Sequence, residues 1–214
     1  MTWDNIPGSI DIRITITMSL RAKVAISGLL IILSYFNSSA QDVVISGGIF
    51  RPSETKNESP FRVHPGSGYT VHIQNIYGYD WNVITGIKYI MNRFDLEGSI
   101  TDSMGMSSVV SDNLTMQTIN VPIYLSRTLG SDDIGVRPYA GFDISFILGM
   151  NENSFDLIKD DFDKIQLWLT GGIALDLSRV VISGEYSYGL GRYFKAEENN
   201  LRFGYVSATI GFRL

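Results

Sequence analysis

The sequence predicts an all-β protein, an eight-stranded antiparallel transmembrane β-barrel built as an up-and-down meander. Alternation of apolar and polar residues with period two dominates from residue 41 onward, and helical periodicity is almost absent. The connections between the alternating segments are long and short in turn. After residue 41 no apolar run reaches the roughly 18 residues of a membrane-spanning helix, so only strands remain to cross a bilayer.

Eight segments rich in Val, Ile, Tyr, Phe and Thr carry the alternation, each bounded by Gly, Asn, Asp or Ser. They cover residues 43–51, 68–77, 81–95, 115–126, 139–150, 165–177, 180–190 and 201–214. Most approach or exceed the roughly nine to eleven residues that a tilted strand needs to cross the hydrocarbon core. An even number of strands places both chain ends on the same side of the barrel.

The connections indicate which side is which. Four long polar ones, residues 52–67, 96–113, 151–164 and 191–200, lie at one end, and three shorter ones, 78–80, 127–138 and 178–179, lie at the other. Outer-membrane barrels have long extracellular loops and short periplasmic turns. The pattern therefore predicts a cell outer-membrane location with extracellular long loops and periplasmic termini.

The alternation also separates two faces on each strand. In the sixth segment Ile165, Leu167 and Leu169 share one face, opposite Gln166 and Thr170. We expect the aliphatic face to contact outer-membrane lipid. Aromatic residues near strand ends predict interfacial girdles, with Phe50, Tyr69, Tyr89, Phe146, Tyr188 and Phe203 at the loop end and Tyr77, Trp81, Tyr139 and Phe212 at the turn end. A soluble, lipocalin-like exported barrel with its apolar face lining a ligand cavity remains the alternative.

A secretory signal peptide is predicted ahead of the barrel. Arg21 and Lys23 supply a basic region, residues 24–36 an apolar core, and Ser38 and Ala40 the small residues of a cleavage site. We expect cleavage between Ala40 and Gln41, so that residues 1–40 are the signal peptide and 41–214 the barrel domain. Met18 begins a conventional signal peptide, which makes it our hypothesis for the true start of translation.

Composition excludes several functions. Without residues 1–40 the chain loses three basic and two acidic residues, so its formal charge of −5 becomes −6. An acidic exported chain is a poor candidate for binding nucleic acid. Since the chain has no cysteine, it has no disulfide, thiolate nucleophile or thiolate metal site. The acidic segment 151–164 lacks the pattern of an EF-hand loop, so we expect neither a metal nor another cofactor.

Five stretches of the strand region form a recognisable series: "MQTINVPIYLSR" (116–127), "RPYAGFDISFILG" (137–149), "LTGGIALDL" (169–177), "VISGEYSYGL" (181–190) and "ATIGFRL" (208–214). Taken in this order, they resemble the outer-membrane protein beta-barrel domain family, whose PorT-like small barrels are common in Bacteroidota. The resemblance covers the region after residue 40 and implies the fold and the compartment. It implies no catalytic residue, because the family shares none.

The polar faces of the strands supply candidate residues for the barrel interior: His72, Gln74, Lys88, Asp143, Gln166, Glu185 and Arg213. Eight strands enclose a space that side chains just fill. A hydrogen-bonded and ion-paired plug is therefore expected, because an unpaired buried charge is costly. The alternatives are a narrow ion path and a lipid-modifying enzyme using His64 or His72. We expect no enzyme, since neighbours in sequence do not establish a catalytic triad.

The last strand is predicted to close the barrel by pairing with the strand that begins near Val43, because lipid tolerates no open sheet edge. Ile210, Phe212 and Leu214 are expected on its lipid face, and this ending resembles the signal that barrel assembly machinery recognises. Pro122 donates no ladder hydrogen bond, so a bulge is expected there. A structural, adhesion or accessory-subunit role through the long loops, with an unidentified envelope protein as partner, is the expected function.

Overall fold

The computed structural model describes residues 42–56, 62–78, 80–101, 107–131, 133–155, 157–191 and 202–214, which all lie in one compact unit, residues 36–214. The predicted signal peptide, with its cleavage site at Ala40 and Gln41, lies outside the described residues. The strands are β1 (Asp42–Lys56), β2 (Arg62–Tyr77), β3 (Trp81–Thr101), β4 (Ser107–Arg127), β5 (Leu129–Gly130), β6 (Ile134–Met150), β7 (Ile165–Leu177), β8 (Val180–Gly189) and β9 (Arg202–Arg213), with a short 3₁₀ helix at Lys159–Asp161.

Eight long strands form a closed antiparallel barrel, as the alternation predicts. The order around the barrel is β4, β3, β2, β1, β9, β8, β7 and β6, and β6 pairs back onto β4. The two-residue strand β5 only extends the turn between β4 and β6, where Leu129 pairs with Val136. We call the end with the β2–β3, β4–β6 and β7–β8 turns the turn end, and the opposite end the loop end. Within the described residues, no helix has the length and apolar character to cross a membrane.

Strands β1 and β9 close the barrel. Their pairing runs from Val44 opposite Arg213 to Lys56 opposite Arg202, and the amide of Leu214 donates to the Val43 carbonyl at 2.9 Å. On β9 Ile210 and Phe212 are 57 and 60% exposed and Leu214, directly after the strand, is 78% exposed, whereas Ser207 and Thr209 are buried in the interior. The strand thus satisfies its backbone groups on both edges and keeps its apolar face outward.

The sheet extends further at the loop end than the sequence indicates. Strands β3 and β4 have 21 residues each, and their ladder continues to Thr101 opposite Ser107. In contrast, the pairing of β4 with β6 ends at Met116 opposite Met150. The polar residues 96–113 lack a period-two apolar face, and the sequence therefore predicts a loop there. The structure holds them instead by the β3–β4 ladder and by hydrogen bonds from the β6–β7 connection to Asn113 and Asp112.

The expected bulge at Pro122 is wrong. The register between β3 and β4 is the same on both sides of Pro122, from Thr85 opposite Ile123 to Lys88 opposite Asn120, with the ladder interrupted between these pairs. Gly86 lies opposite Pro122 in this interval and has a φ of +148°. An interrupted ladder next to a left-handed glycine therefore accommodates the missing amide. The shift between β4 and β6 lies instead between Gln117 and Thr118.

The outward faces are aliphatic and aromatic, as expected for contact with lipid, and the soluble alternative with an inward apolar face is contradicted. Of the predicted girdle residues, Tyr69 and Phe146 at the loop end and Trp81 and Phe212 at the turn end are exposed. Three others are corrected, because they lie on the inward phase of their strands and are buried inside the barrel: Phe50, Tyr139 and Phe203.

Deleting residues 212–214 is expected to prevent barrel closure, because it removes the pairs that β9 makes with Ile45 of β1 and Val180 of β8 and leaves an open edge in lipid. The measurement is the heat-modifiable gel shift of the membrane fraction. Phe212→Leu, which keeps an apolar side chain at the same position, is the matched control and should insert normally. Normal insertion of the truncated chain would contradict the prediction.

Candidate functional site

The interior of the barrel contains a central polar cluster built around Lys88 on β3. Its ammonium donates to the Tyr124 hydroxyl at 2.7 Å, to Glu185 Oε1 at 2.8 Å and to Asp143 Oδ2 at 3.3 Å. These three acceptors come from β4, β8 and β6. All three ammonium hydrogens are therefore used, and the side chains of Lys88 and Asp143 have no exposed surface.

Neutral hydroxyl groups complete the coordination of the two carboxylates. Asp143 accepts from Tyr124 at 2.7 Å and from Thr170 at 2.6 Å, and Glu185 accepts from the Tyr139 hydroxyl at 3.2 Å. Every carboxylate oxygen in the cluster thus has a donor. Because Thr170 gives its hydrogen to Asp143, the 2.7 Å contact between Thr170 and Ser187 has Ser187 as donor.

His72 lies directly opposite Lys88 in the β2–β3 register and is buried. Its Nε2 is 2.7 Å from the Thr70 hydroxyl oxygen, and Thr70 donates to the Tyr89 carbonyl at 3.1 Å. The single hydroxyl hydrogen of Thr70 is already used, so the Nε2 of His72 carries the hydrogen in this contact. His72 therefore has a defined structural partner beside the cluster.

The other three predicted interior residues, Gln166, Gln74 and Arg213, lie outside the central cluster and differ in how deeply they are buried. Gln166 is buried, and its amide has no hydrogen-bond partner within the described part of the chain. Gln74 is only half-buried, whereas the adjacent Asn75 is fully buried. Arg213 lies at the turn end, away from the central cluster.

A second group, the turn-end ion-pair cluster, contains Arg213, Arg137, Asp176 and Asp42. Asp176 Oδ1 accepts from Arg137 at 3.1 Å and lies 2.8 Å from Arg213 Nη2. Arg213 Nε is 3.7 Å from Asp42 Oδ2. The cluster borders a polar cavity of about 260 Å³ at the mouth of the barrel and joins β9 to β6, β7 and β1.

Sequence reasoning missed Arg137 and Asp176 as site residues. Arg137 falls in the predicted connection 127–138, just before the fifth segment. Asp176 lies on the polar face of the sixth segment, and its local pattern does not distinguish it from the other residues of that face. The signal that identifies both is parity: Arg137 shares the inward phase with Asp143, and Asp176 shares it with Gln166.

Apolar residues lie on both sides of the central cluster. On the loop side, Phe94 and Phe203 approach to 4.9 Å between ring centroids and Trp168 and Tyr205 to 5.2 Å. Phe155 and Leu157, from the β6–β7 connection, pack against this layer. On the turn side, Tyr124 stacks on Tyr139 at 5.2 Å within a smaller buried group that also contains Val44, Ile76, Ile84, Ala174 and Val181.

The β6–β7 connection is hydrogen-bonded to the projecting part of β4, which is residues 107–115, beyond the last pair of β4 with β6. The backbone amide of Ser154 donates to Asp112 Oδ2 at 2.5 Å and that of Asn113 to Asp112 Oδ1 at 2.6 Å. These two backbone hydrogen bonds, the one from Ser154 first, lower the pKa of Asp112 below its ordinary value. Asp112 lies on β4 beyond its last pair with β6, and therefore beyond the closed part of the barrel.

Outward aliphatic strands around a charged, hydrogen-bonded interior define an integral β-barrel membrane protein. The model of the family described as outer membrane protein beta-barrel domain matches residues 34–195. The chain therefore belongs to that family and is an outer-membrane barrel, as its resemblance implies.

Solved structures with similar folds include three outer-membrane or surface proteins. Ail, the attachment invasion locus protein of Yersinia pestis, is 11% identical with a TM-score of 0.43, covering 81% of this chain and 98% of its own. Neisserial surface protein A is 14% identical with a TM-score of 0.41 over 80% and 95%. OprG from Pseudomonas aeruginosa is 8% identical with a TM-score of 0.46 over 82% and 97%. No curated protein sequence matches the chain.

Replacing Lys88 with Met is expected to destabilise the folded barrel by about 3–5 kcal/mol, because it leaves two buried carboxylates without their cation. The triple variant Lys88→Met, Asp143→Asn, Glu185→Gln removes all three charges and should recover most of that loss. Urea unfolding in lipid vesicles, followed by tryptophan fluorescence, measures both. The prediction would be contradicted if the Lys88→Met protein were as stable as the parent.

The contact between Asp112 and Ser154 is expected to persist in mild acid. The pKa of Asp112 is lower in the folded state than its ordinary value of 3.8. The stabilisation that the ionised carboxylate gives to the fold is therefore fully present above pH 3.8, and it is lost as the pH falls through the lowered pKa. The ¹⁵N chemical shift of Ser154 in a pH titration reports this. Asp112→Asn serves as the control without a titrating group, and a midpoint above 3.8 would contradict the assignment.

Proposed function

We propose that this outer-membrane barrel is a non-enzymatic accessory or adhesive subunit, which binds an envelope or external protein through the sheet that projects at its loop end. In this proposal the loop end is extracellular, both termini are periplasmic, and the interior is closed to solutes. The protein acts by presenting a rigid binding surface above the membrane.

The β3–β4 hairpin is the observation that carries the proposal. It continues for nine residues on β4 beyond the last pair with β6, from Met116 to Ser107, which is roughly 30 Å along the strand. Val109 near its tip is 75% exposed. The β6–β7 connection already hydrogen-bonds the β4 edge at Thr115 and Asn113, so the part of the edge open to a partner lies nearer the tip, around Val109. There the edge offers backbone donors and acceptors to an extended partner segment, and the barrel below holds it in place.

The arrangement of the interior supports a closed lumen. The ammonium of Lys88 is saturated by acceptors from three other strands, and aromatic rings lie directly on its loop side. An ion entering this space would have to break charge-assisted hydrogen bonds in a region of low dielectric, where each is strong.

The positions of the histidines support the absence of catalysis. His64, exposed at the loop end, lies 3.3 Å from Glu97, while His72 is buried against Thr70. Within the described residues, no three His, Cys, Asp or Glu side chains are grouped so that they would hold a metal ion. Both His64 and Glu97 are exposed, as is typical of a solvated pair on a protein surface.

Shortening the hairpin tests the proposal. Glu97 and Ser111 are paired across it, so replacing residues 98–110 with Asn-Gly supplies a two-residue turn between them and removes the tip. Proteins cross-linked to the parent on intact cells are expected to be lost with this variant, while the heat-modifiable shift remains. In planar bilayers neither protein should give conductance steps.

Arg179→Gln, at the turn end, is the matched control and should retain the cross-linked partner. Capture of the same partner by the shortened variant would place the binding surface elsewhere and overturn the role of the hairpin. Conductance steps in the parent would overturn the closed interior.

A further inference from the structure

An apolar groove of about 480 Å³ lies on the outer surface of the barrel at the turn end, between β3, β4, β5 and β6. Its volume falls in the range of about 300–1,000 Å³ that is typical of small-molecule sites. The exposed side chains of Trp81, Leu125 and Leu129 border it. Pro138 and Ala140, smaller than the outward residues Val136 and Phe142 beside them on β6, leave the space open.

Arg127 supplies one charge at the edge of this groove. Its guanidinium carbon lies 5.7 Å from the centroid of the Trp81 ring, and the two residues are paired in the β3–β4 register. This contact orients the guanidinium beside the apolar surface. In the part of the chain that the structure describes, no carboxylate forms an ion pair with Arg127, so its donors are available to an anion from outside the protein.

We propose that the groove binds one phospholipid of the surrounding bilayer, with the headgroup phosphate on Arg127 and an acyl chain along Leu125 and Ala140, on the membrane side of Arg127. A guanidinium matches phosphate by paired, charge-assisted hydrogen bonds. Tryptophan is enriched where the hydrocarbon core meets the headgroups, and Trp81 places Arg127 at that depth. The ligand is therefore an amphiphile with an anionic head and an apolar tail.

The bilayer is the source of this ligand because the groove opens onto the lipid-facing surface. Immediately above it on the same strands, Ile123 and Phe142 are exposed apolar residues within the membrane-spanning region. A free phosphate ion would satisfy Arg127 but leave the apolar part of the groove unoccupied. The proposed orientation, with the turn end periplasmic, would place this lipid in the periplasmic leaflet. Binding of the lipid does not depend on that orientation.

Native mass spectrometry of the folded protein in lipid-free detergent, supplied with phosphatidylglycerol, tests the site. The parent is expected to retain one lipid, and Arg127→Gln to lower its occupancy roughly ten-fold, as the loss of a charge-assisted hydrogen bond predicts. Arg179→Gln removes an exposed guanidinium from the β7–β8 turn, outside the groove, and should leave the occupancy unchanged. Each variant is first checked for the heat-modifiable shift.

Further measurements distinguish the contribution of the lipid headgroup from that of the acyl chain. Diacylglycerol with the same acyl chains should not be retained, and inorganic phosphate should not displace the phospholipid. Ala140→Phe fills the groove while keeping Arg127 and should also reduce occupancy, whereas Ile210→Phe, on the outer face of β9 and away from the groove, should not.

Equal retention by Arg127→Gln, or equal retention of diacylglycerol, would overturn the site. Displacement by inorganic phosphate would show an anion site without a lipid groove and would likewise overturn it. None of these outcomes bears on the hairpin or on the orientation, which protease accessibility on intact cells tests separately.

Discussion

The closed hydrogen-bonded ladder is the constraint on which the rest of this structure depends. Lipid supplies no partner for a backbone amide or carbonyl, so each of the eight long strands has a neighbour on both edges. Closure in turn defines an inside and an outside, and the period of two assigns every side chain to one of them. Buried charges and exposed aliphatic residues, which would be contradictory in a water-soluble domain, are both consequences of this single requirement.

Charge inside the barrel is tolerable only because strands distant in sequence share it. Lys88 donates to acceptors on β4, β6 and β8. Asp176 accepts from Arg137 of β6 and forms an ion pair with Arg213 of β9. Because the partners of each buried charge come from different strands, the interior hydrogen bonds and ion pairs form only when the barrel is complete. In a partly formed sheet the same charged side chains would lack their partners. Apolar layers on either side keep water from competing for the same hydrogen bonds.

The barrel itself follows from the sequence because alternation, strand number and the order of connections are local patterns that all indicate one topology. Lys88, Asp143 and Glu185 could be assigned to the interior from parity alone. The sequence does not predict that these three residues meet in one cluster. Their contact depends on the stagger between strands, and the residues are 42 to 97 positions apart in the chain. The length of the projecting hairpin is not predictable either, because the sequence does not mark where along a strand the membrane ends. The inward positions of Phe50 and Phe203, in contrast, follow from parity, in phase with Val44 and Thr209.

Arg213, the penultimate residue, connects the final strand to Asp176 of β7 and Asp42 of β1. A slip of β9 by two residues would keep each of its side chains on the same face of the sheet and most ladder bonds formed, so the alternation alone would not oppose it. It would, however, separate Thr209 from Ser183, shift Phe203 and Tyr205 away from their ring partners, and carry the Arg213 guanidinium roughly 7 Å from its carboxylates. The stagger of the closing seam, and with it the shear number and diameter of the barrel, is thus specified by the interior contacts of the last strand.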